Sequence, residues 1–188
     1  MKLENTFSVA VAPEKAWSIL VDVERVAPCL PGAKLTEVMD DNAFRGKVDV
    51  KLGPVSLTFD GNVRFVERDD EKFFAILKAD GREARGRGGA EANIKFSLDE
   101  TEGGSNVRVT TDLNLIGPVA QYARSQGIIV AVSEEIVGQF AKCLEERVIS
   151  RKKVELAEQD DASASGVSIF IGALKRWISK ILNARLSQ

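Results

Sequence analysis

Between residues 33 and 116, apolar and polar side chains alternate with a period of two in one segment after another. No other feature constrains the fold as much. In 43–52, Phe44, Val48, Val50 and Leu52 alternate with Arg45, Lys47, Asp49 and Lys51. In 55–67, Val55, Leu57, Phe59, Val63 and Phe65 alternate with Ser56, Thr58, Asp60, Asn62 and Arg64. Ala92, Ile94, Phe96 and Leu98 face one way in 90–98, and Val107, Val109, Thr111, Leu113 and Leu115 do so in 106–116. Successive strand side chains point to opposite faces, so the pattern predicts an antiparallel sheet with one buried face and one wet face. Residues 33–40 and 72–79 add two strands. The parity of the second is ambiguous, because Phe73 and Phe74 compete for the interior. Gly53-Pro54 and Gly103-Gly104-Ser105 provide turns.

Residues 2–11 read as a first strand, with Leu3, Phe7, Val9 and Val11 on one side. Ala12-Pro13-Glu14 then starts a helix, since proline suits a first turn and Glu14 suits the positive end of the helix dipole. Pro28 and Pro31 stop helical structure. After Gly117-Pro118 the period changes. Ile129, Val132, Ile136, Val137, Phe140, Leu144 and Val148 form a helical stripe that runs to about residue 156. That stripe needs an apolar partner, and the sheet offers one. The expected fold is α+β, a curved antiparallel sheet of about seven strands around a long C-terminal helix.

Composition removes several function classes. The chain has 188 residues, 44% of them hydrophobic, and a net charge of −2. That balance supports a proper core and argues against a nucleic-acid partner. Histidine is absent, which removes the commonest general base, the Ser-His and Cys-His couples and most zinc sites. Cys29 and Cys143 are too few and too distant in sequence to suggest a disulfide framework. Cys29, between Pro28 and Pro31, reads as a buried, inert thiol. Gly81 to Gly89 is glycine-rich, but it lacks a Gly-Lys-Ser/Thr ending and lies between strands, so it reads as a turn or bulge. Arg82, Arg85 and Arg87 are then solvated loop residues or an exposed docking patch. A cyclase or hydrolase reading needs an inward-facing acid or base, and Glu37 on the strand 33–40 is the one candidate.

The final 23 residues differ from the rest. Gly166–Gln188 contain Lys175, Arg176, Lys180 and Arg185 and no acidic residue. Val167, Phe170, Ile171, Leu174, Trp177, Ile178, Ile181 and Leu182 recur at helical spacing. A basic amphipathic helix with a tryptophan is the pattern of a membrane-surface helix. Its longest apolar run, Ile169–Leu174, is far short of the about 20 residues a span needs. Docking in a partner's groove and packing on the parent domain are the competing readings. The polar, small-residue stretch 158–166 reads as a flexible linker and disfavours the latter. Each basic residue near an anionic surface contributes about 1 kcal/mol, so anchoring would be reversible. Membrane contact is assigned to Phe170, Ile171, Leu174, Lys175, Trp177, Ile178, Lys180, Ile181 and Arg185. The expected domains are 1–157, a ligand-binding domain, 158–166, the linker, and 167–188, the membrane-associating helix. With no N-terminal signal, the expected location is cytoplasmic, peripheral to the inner face of the cell membrane.

Five stretches together carry a family resemblance: Pro13-x-x-x-Ala16-Trp17-x-x-Leu20-x-Asp22; Ala27-Pro28-Cys29-Leu30-Pro31-Gly32-Ala33; Leu52-Gly53-Pro54-Val55 with Phe59-x-Gly61; Gly86-x-Gly88-Gly89-Ala90; and Ile116-Gly117-Pro118-Val119-Ala120-Gln121. Over roughly residues 1–150 the chain resembles the carbon monoxide dehydrogenase CoxG-like family, within the START-like or SRPBCC helix-grip superfamily. The resemblance implies a helix-grip fold, a hydrophobic cavity, service to a molybdenum-containing CO dehydrogenase, and no catalytic residues.

That resemblance, together with the tail, leads to a non-enzymatic carrier of quinone, menaquinone or ubiquinone, bound as cargo with no covalent cofactor and no metal. Apolar pockets take lipophilic ligands. The expected cavity residues are Phe44, Phe59, Phe65, Leu77, Phe96, Leu115, Tyr122, Ile129, Val132, Ile136 and Phe140. Cys29, Leu30, Pro31, Gly117 and Pro118 are expected at the mouth, and Tyr122 can offer its hydroxyl to a quinone carbonyl. The alternative is a recruitment or assembly factor for CO dehydrogenase that carries no ligand.

Overall fold

The computed structural model describes residues 1–124 and 126–149. Met1–Val148 forms a compact unit. Its seven strands are β1 (Lys2–Val9), β2 (Ala33–Asp40), β3 (Ala43–Leu52), β4 (Val55–Asp69), β5 (Phe74–Glu83), β6 (Gly89–Thr101) and β7 (Gly104–Ile116). They lie in one antiparallel sheet in the order β1-β7-β6-β5-β4-β3-β2. Hairpins join β2 through β7 in sequence, and β1 closes onto β7 as the far edge. The curved antiparallel sheet and C-terminal helix expected from the sequence pattern are present, with β5 running four residues beyond its expected end.

Between β1 and β2 lie α1 (Pro13–Leu20), α2 (Val23–Val26) and a 3-10 turn at Ala27–Cys29. Pro13 occupies the first turn of α1, and Asp22 caps α2 by accepting a hydrogen bond from the Arg25 N–H at 3.1 Å. Trp17 is buried; its ring lies 5.3 Å from that of Phe96 and 6.0 Å from that of Phe73. Its Nε1–H donates to Asp70 Oδ1 at 2.7 Å, so the polar edge of the indole is satisfied while its body fills the core.

The competition between Phe73 and Phe74 has a backbone answer. Phe73 has φ +48°, a left-handed conformation that ends the turn, and β5 begins one residue later. Ala75, fully buried, and Leu77 then face inward, and Phe74 takes the outer face.

β7 leads through a 3-10 segment, Gly117–Arg124, into α3 (Gln126–Cys143), which continues as a π-helical turn, Leu144–Ile149. α3 packs chiefly on β1, with further contact to β3, strands toward opposite sides of the sheet. Asn5 Nδ2 donates to Ser133 Oγ at 2.7 Å, and the Phe7 and Phe140 rings meet edge to face at 5.7 Å. The sheet therefore arches beneath a helix held at its flanks.

One expectation is corrected here. Cys29 is not a lone thiol: it forms a disulfide with Cys143, with Cα atoms 5.3 Å apart. Their sequence separation of 114 hid the pairing, because the fold returns the end of α3 to the turn after α2. The bridge ties the two helical arms on the concave side to each other.

The linker 158–166, the segment 167–188 with all nine residues assigned to membrane contact, and the last residues of the expected long helix lie outside the described residues. Among the described residues, no helix is long and apolar enough to cross a membrane.

Candidate functional site

The inner face of the sheet is mostly apolar but not evenly buried. Leu3, Val9, Leu98 and Val107 are buried where α1 and β1 converge, and Leu52, Leu57 and Phe59 are buried at the other end of the strands. Between them Val48, Val63, Phe65, Leu77, Ala79, Ile94 and Leu113 are half-buried. On the facing helix, Ile129 is buried, whereas Val132, Ile136, Val137 and Phe140 are half-buried. Half-buried apolar residues thus lie both on the inner face of the sheet and on α3.

The eleven residues expected to line a cavity all lie on these elements or on the segment leading into α3. Phe65, Leu77, Leu115, Tyr122, Val132 and Ile136 are the half-buried members without a ring partner. Phe44, Phe59 and Ile129 are buried core residues, Phe96 packs on Trp17, and Phe140 packs on Phe7. The segments expected at the mouth reach the same end of the sheet. Ala33 begins β2 opposite Val48 in the second half of β3, and Gly117 follows the end of β7. There Leu30, Gly117 and Pro118 are exposed and Pro31 half-buried, whereas Cys29 is buried in its disulfide. The buried cluster Leu52, Leu57, Phe59 and Val119 closes this end, with Leu115, Tyr122 and Val132 packed against it.

The site also holds residues that the alternation did not reveal. β5 continues to Glu83, whose side chain points inward opposite Phe59 and is only 1% exposed. Arg87 Nη2 donates to Glu83 Oε1 at 2.7 Å, and the backbone N–H groups of Arg85 and Arg87 donate to Oε2 at 2.8 and 3.2 Å. The Arg87 hydrogen bond, helped by the two N–H groups, outweighs burial and holds the carboxyl at about 2. The glycine-rich stretch is thus the end of a strand and a loop, Ala84–Gly88, wrapped around a buried carboxylate. Arg82 and Arg85 are exposed, as a solvated loop requires, but Arg87 is drawn inward. Extending the period of two from Leu77 through Ala79 and Gly81 would have placed Glu83 inside.

Glu37 is not an inward acid. A bulge between Leu35 and Glu37 sets it on the exposed side of edge strand β2, paired with Arg45 at 2.9 Å. A depression of about 390 Å³ lined by Asp40, Asp41, Asn42, Ala43, Arg64 and Phe65 opens at the β2–β3 turn, at the other end of the strands from Glu83. Its rim is polar and it holds none of the mouth residues. Among the described residues, no cluster of metal-ligating side chains is arranged to hold a metal ion.

Solved structures share this architecture. A conserved protein from Geobacillus kaustophilus superposes with a TM-score of 0.68 at 18% identity, over 80% of this chain and 96% of that one. A Thermus thermophilus protein gives 0.57 at 16% identity, over 80% and 99%. The ZhuI aromatase/cyclase from Streptomyces sp. R1128 gives 0.53 at 13% identity, over 77% and 90%. Such likenesses establish the helix-grip fold and no more. No curated protein matches the sequence. The family comparison is more specific, because the carbon monoxide dehydrogenase CoxG family matches residues 6–149, from within β1 to the end of the helical segment after α3. The chain belongs to the CoxG family of carbon monoxide dehydrogenase.

Proposed function

We propose that this protein is a non-enzymatic carrier that binds a lipophilic quinone, menaquinone or ubiquinone, in the sheet–helix cleft and links CO dehydrogenase to the membrane quinone pool. Family membership supports the accessory role to CO dehydrogenase. The observation that carries the cargo reading is the half-burial of apolar residues on the inner faces of β3–β7 and on α3, a surface that an isoprenoid chain lying between them would cover. The basic amphipathic segment 167–188 supports the membrane half of the reading by its sequence alone.

An enzymatic role on the same fold finds little support in the inward acid. Glu83, held at about 2, stays ionised at neutral pH and its oxygens are taken up by three donors, so it is poorly suited to exchange protons there.

The experiment is quinone loading of full-length protein, measured for the wild type and for Ile136→Trp. Ile136 is half-buried on α3, so an indole there would fill the cleft. The proposal expects loading to fall severalfold while the circular dichroism spectrum is kept. Unchanged loading would place the ligand elsewhere, and a protein that never loads but still brings CO dehydrogenase to membranes would favour tethering.

A further inference from the structure

The antiparallel meander sorts its connections into two groups. The β2–β3, β4–β5 and β6–β7 turns lie at one end of the strands, and β3–β4, β5–β6 and the exit from β7 into α3 lie at the other. The two ends differ in charge. The first presents Asp40 and Asp41 in one turn, Asp70 and Glu71 in the next, and Glu100 and Glu102 at the third, all exposed. Arg68 and Lys72 offset part of this in the second turn.

The other end presents Lys51 before the β3–β4 turn and Arg82 and Arg85 at the β5–β6 loop. All three are exposed and, among the described residues, none is in an ion pair. The acid of that loop, Glu83, is 1% exposed and already paired with Arg87, so the loop's surface is cationic. Asp49 and Asp60, further along β3 and β4, are bound to Thr58 and Lys47. Ile116, Ile128 and Val130 are exposed on the segments that end and follow β7, and Pro54 and Pro118 are exposed in the loops of the same end. Val132 packs on the cluster of Leu52, Leu57, Phe59 and Val119, which places the first turns of α3 here. Exposed apolar residues do not distinguish the ends, since Val38, Met39 and Val66 lie toward the acidic one. The charges do.

We infer that the end formed by β3–β4, β5–β6 and the β7–α3 exit is a docking surface for an anionic lipid bilayer, with Lys51, Arg82 and Arg85 on the headgroups and Ile116, Ile128 and Val130 at the lipid boundary. This rests on the membrane half of the proposed function and adds which face of the folded unit meets the bilayer. The ten residues of β3, at about 3.3 Å each, set the two ends about 33 Å apart. That is several times the Debye length of about 8 Å, so the acidic end does not oppose the approach. Three cations, at about fivefold in affinity each, bind more weakly than about 1 mM on their own. This end therefore orients a protein that the segment 167–188 anchors.

The test is hydrogen–deuterium exchange of the full-length protein alone, with phosphatidylcholine vesicles, and with vesicles of phosphatidylcholine and phosphatidylglycerol in equal parts. The anionic vesicles are expected to slow exchange in 51–56, 84–88 and 116–122 and to leave 40–42, 69–73 and 101–104 unchanged. In the triple variant Lys51→Gln, Arg82→Gln, Arg85→Gln that slowing should disappear and vesicle binding should weaken by about tenfold, while slowing in 167–188 remains. Lys72→Gln, at the acidic end, controls for general loss of charge and should behave as the wild type. Slowing confined to 167–188, or unchanged in the triple variant, overturns the docking surface and leaves the membrane half of the proposed function intact. A full-length protein that binds neither kind of vesicle overturns both. Slowing in the three loops brought by CO dehydrogenase, or by raised protein concentration, and not by vesicles gives this end to a protein partner and overturns the docking surface as well.

Discussion

Glu83 sits on the inner face of a sheet, facing Phe59, and remains ionised. Its value of about 2 lies below the ordinary 4.5, so the unfolded chain binds the proton more readily than the native protein does. The stability it contributes is therefore complete above about pH 4.5 and is lost as pH falls through about 2. Urea midpoints at pH 6 and pH 3 should fall more for the wild type than for Glu83→Gln, and equal falls would contradict the assignment. Gly88 gives a second prediction at this scale. Gly88→Ala forces a side chain to a φ of +115° and against the Ile116 carbonyl, and should cost about 2 kcal/mol or more. Gly103→Ala, with nothing within 4 Å of the added methyl, is the control and should be nearly neutral in the same denaturation series. Gly88 stood out within the glycine-rich stretch, but Glu83 did not. Glycines at 81, 86, 88 and 89 interrupt the alternation on which parity depends, so the acid among them read as part of a turn.

Strands and helices were legible for a local reason. A half-buried strand records its two environments in every second side chain, and β3, β6, β7 and β4 up to Phe65 do so. β5 was the exception, since its starting parity depends on the left-handed Phe73, a backbone state that composition does not announce. The Cys29–Cys143 bridge was illegible for the opposite reason, because pairing across 114 residues is a property of the closed fold. It joins the turn after α2 to the last residue of α3 and so restrains a long loop of the unfolded chain. Reduction, or Cys29→Ala with Cys143→Ala, should lower stability by about 2–4 kcal/mol. Urea midpoints with and without reductant check this, and coincident midpoints would show that the bridge restrains nothing. Trp17 is the pin at the other end of the sheet. Trp17→Ala removes a buried ring and leaves Asp70 without the indole donor, and should cost about 3–5 kcal/mol by the same measurement.

The unit Met1–Val148 is a curved sheet that a helix touches at its flanks, with apolar surface left half-covered between them. The sequence carried the class of this architecture and the apolar identity of the facing residues. It did not distinguish which of those residues fill the core and which border open space. Phe44, Phe65 and Phe96 follow one alternation, yet the first is buried, the second half-buried, and the third packed on Trp17. That distinction depends on how far the sheet arches, which follows from the whole set of strands. Deleting residues 166–188 should abolish binding to anionic liposomes and leave the folded unit intact, and retained binding would remove the membrane half of the proposal.

The central claim is that the cleft carries a quinone, and mass spectrometry of organic extracts tests it most directly. The protein is purified without detergent from a host that makes quinones, and the extract is quantified against protein. The account predicts a quinone near one per chain. A clean extract from folded protein that still binds liposomes would contradict it and leave a membrane tether in its place.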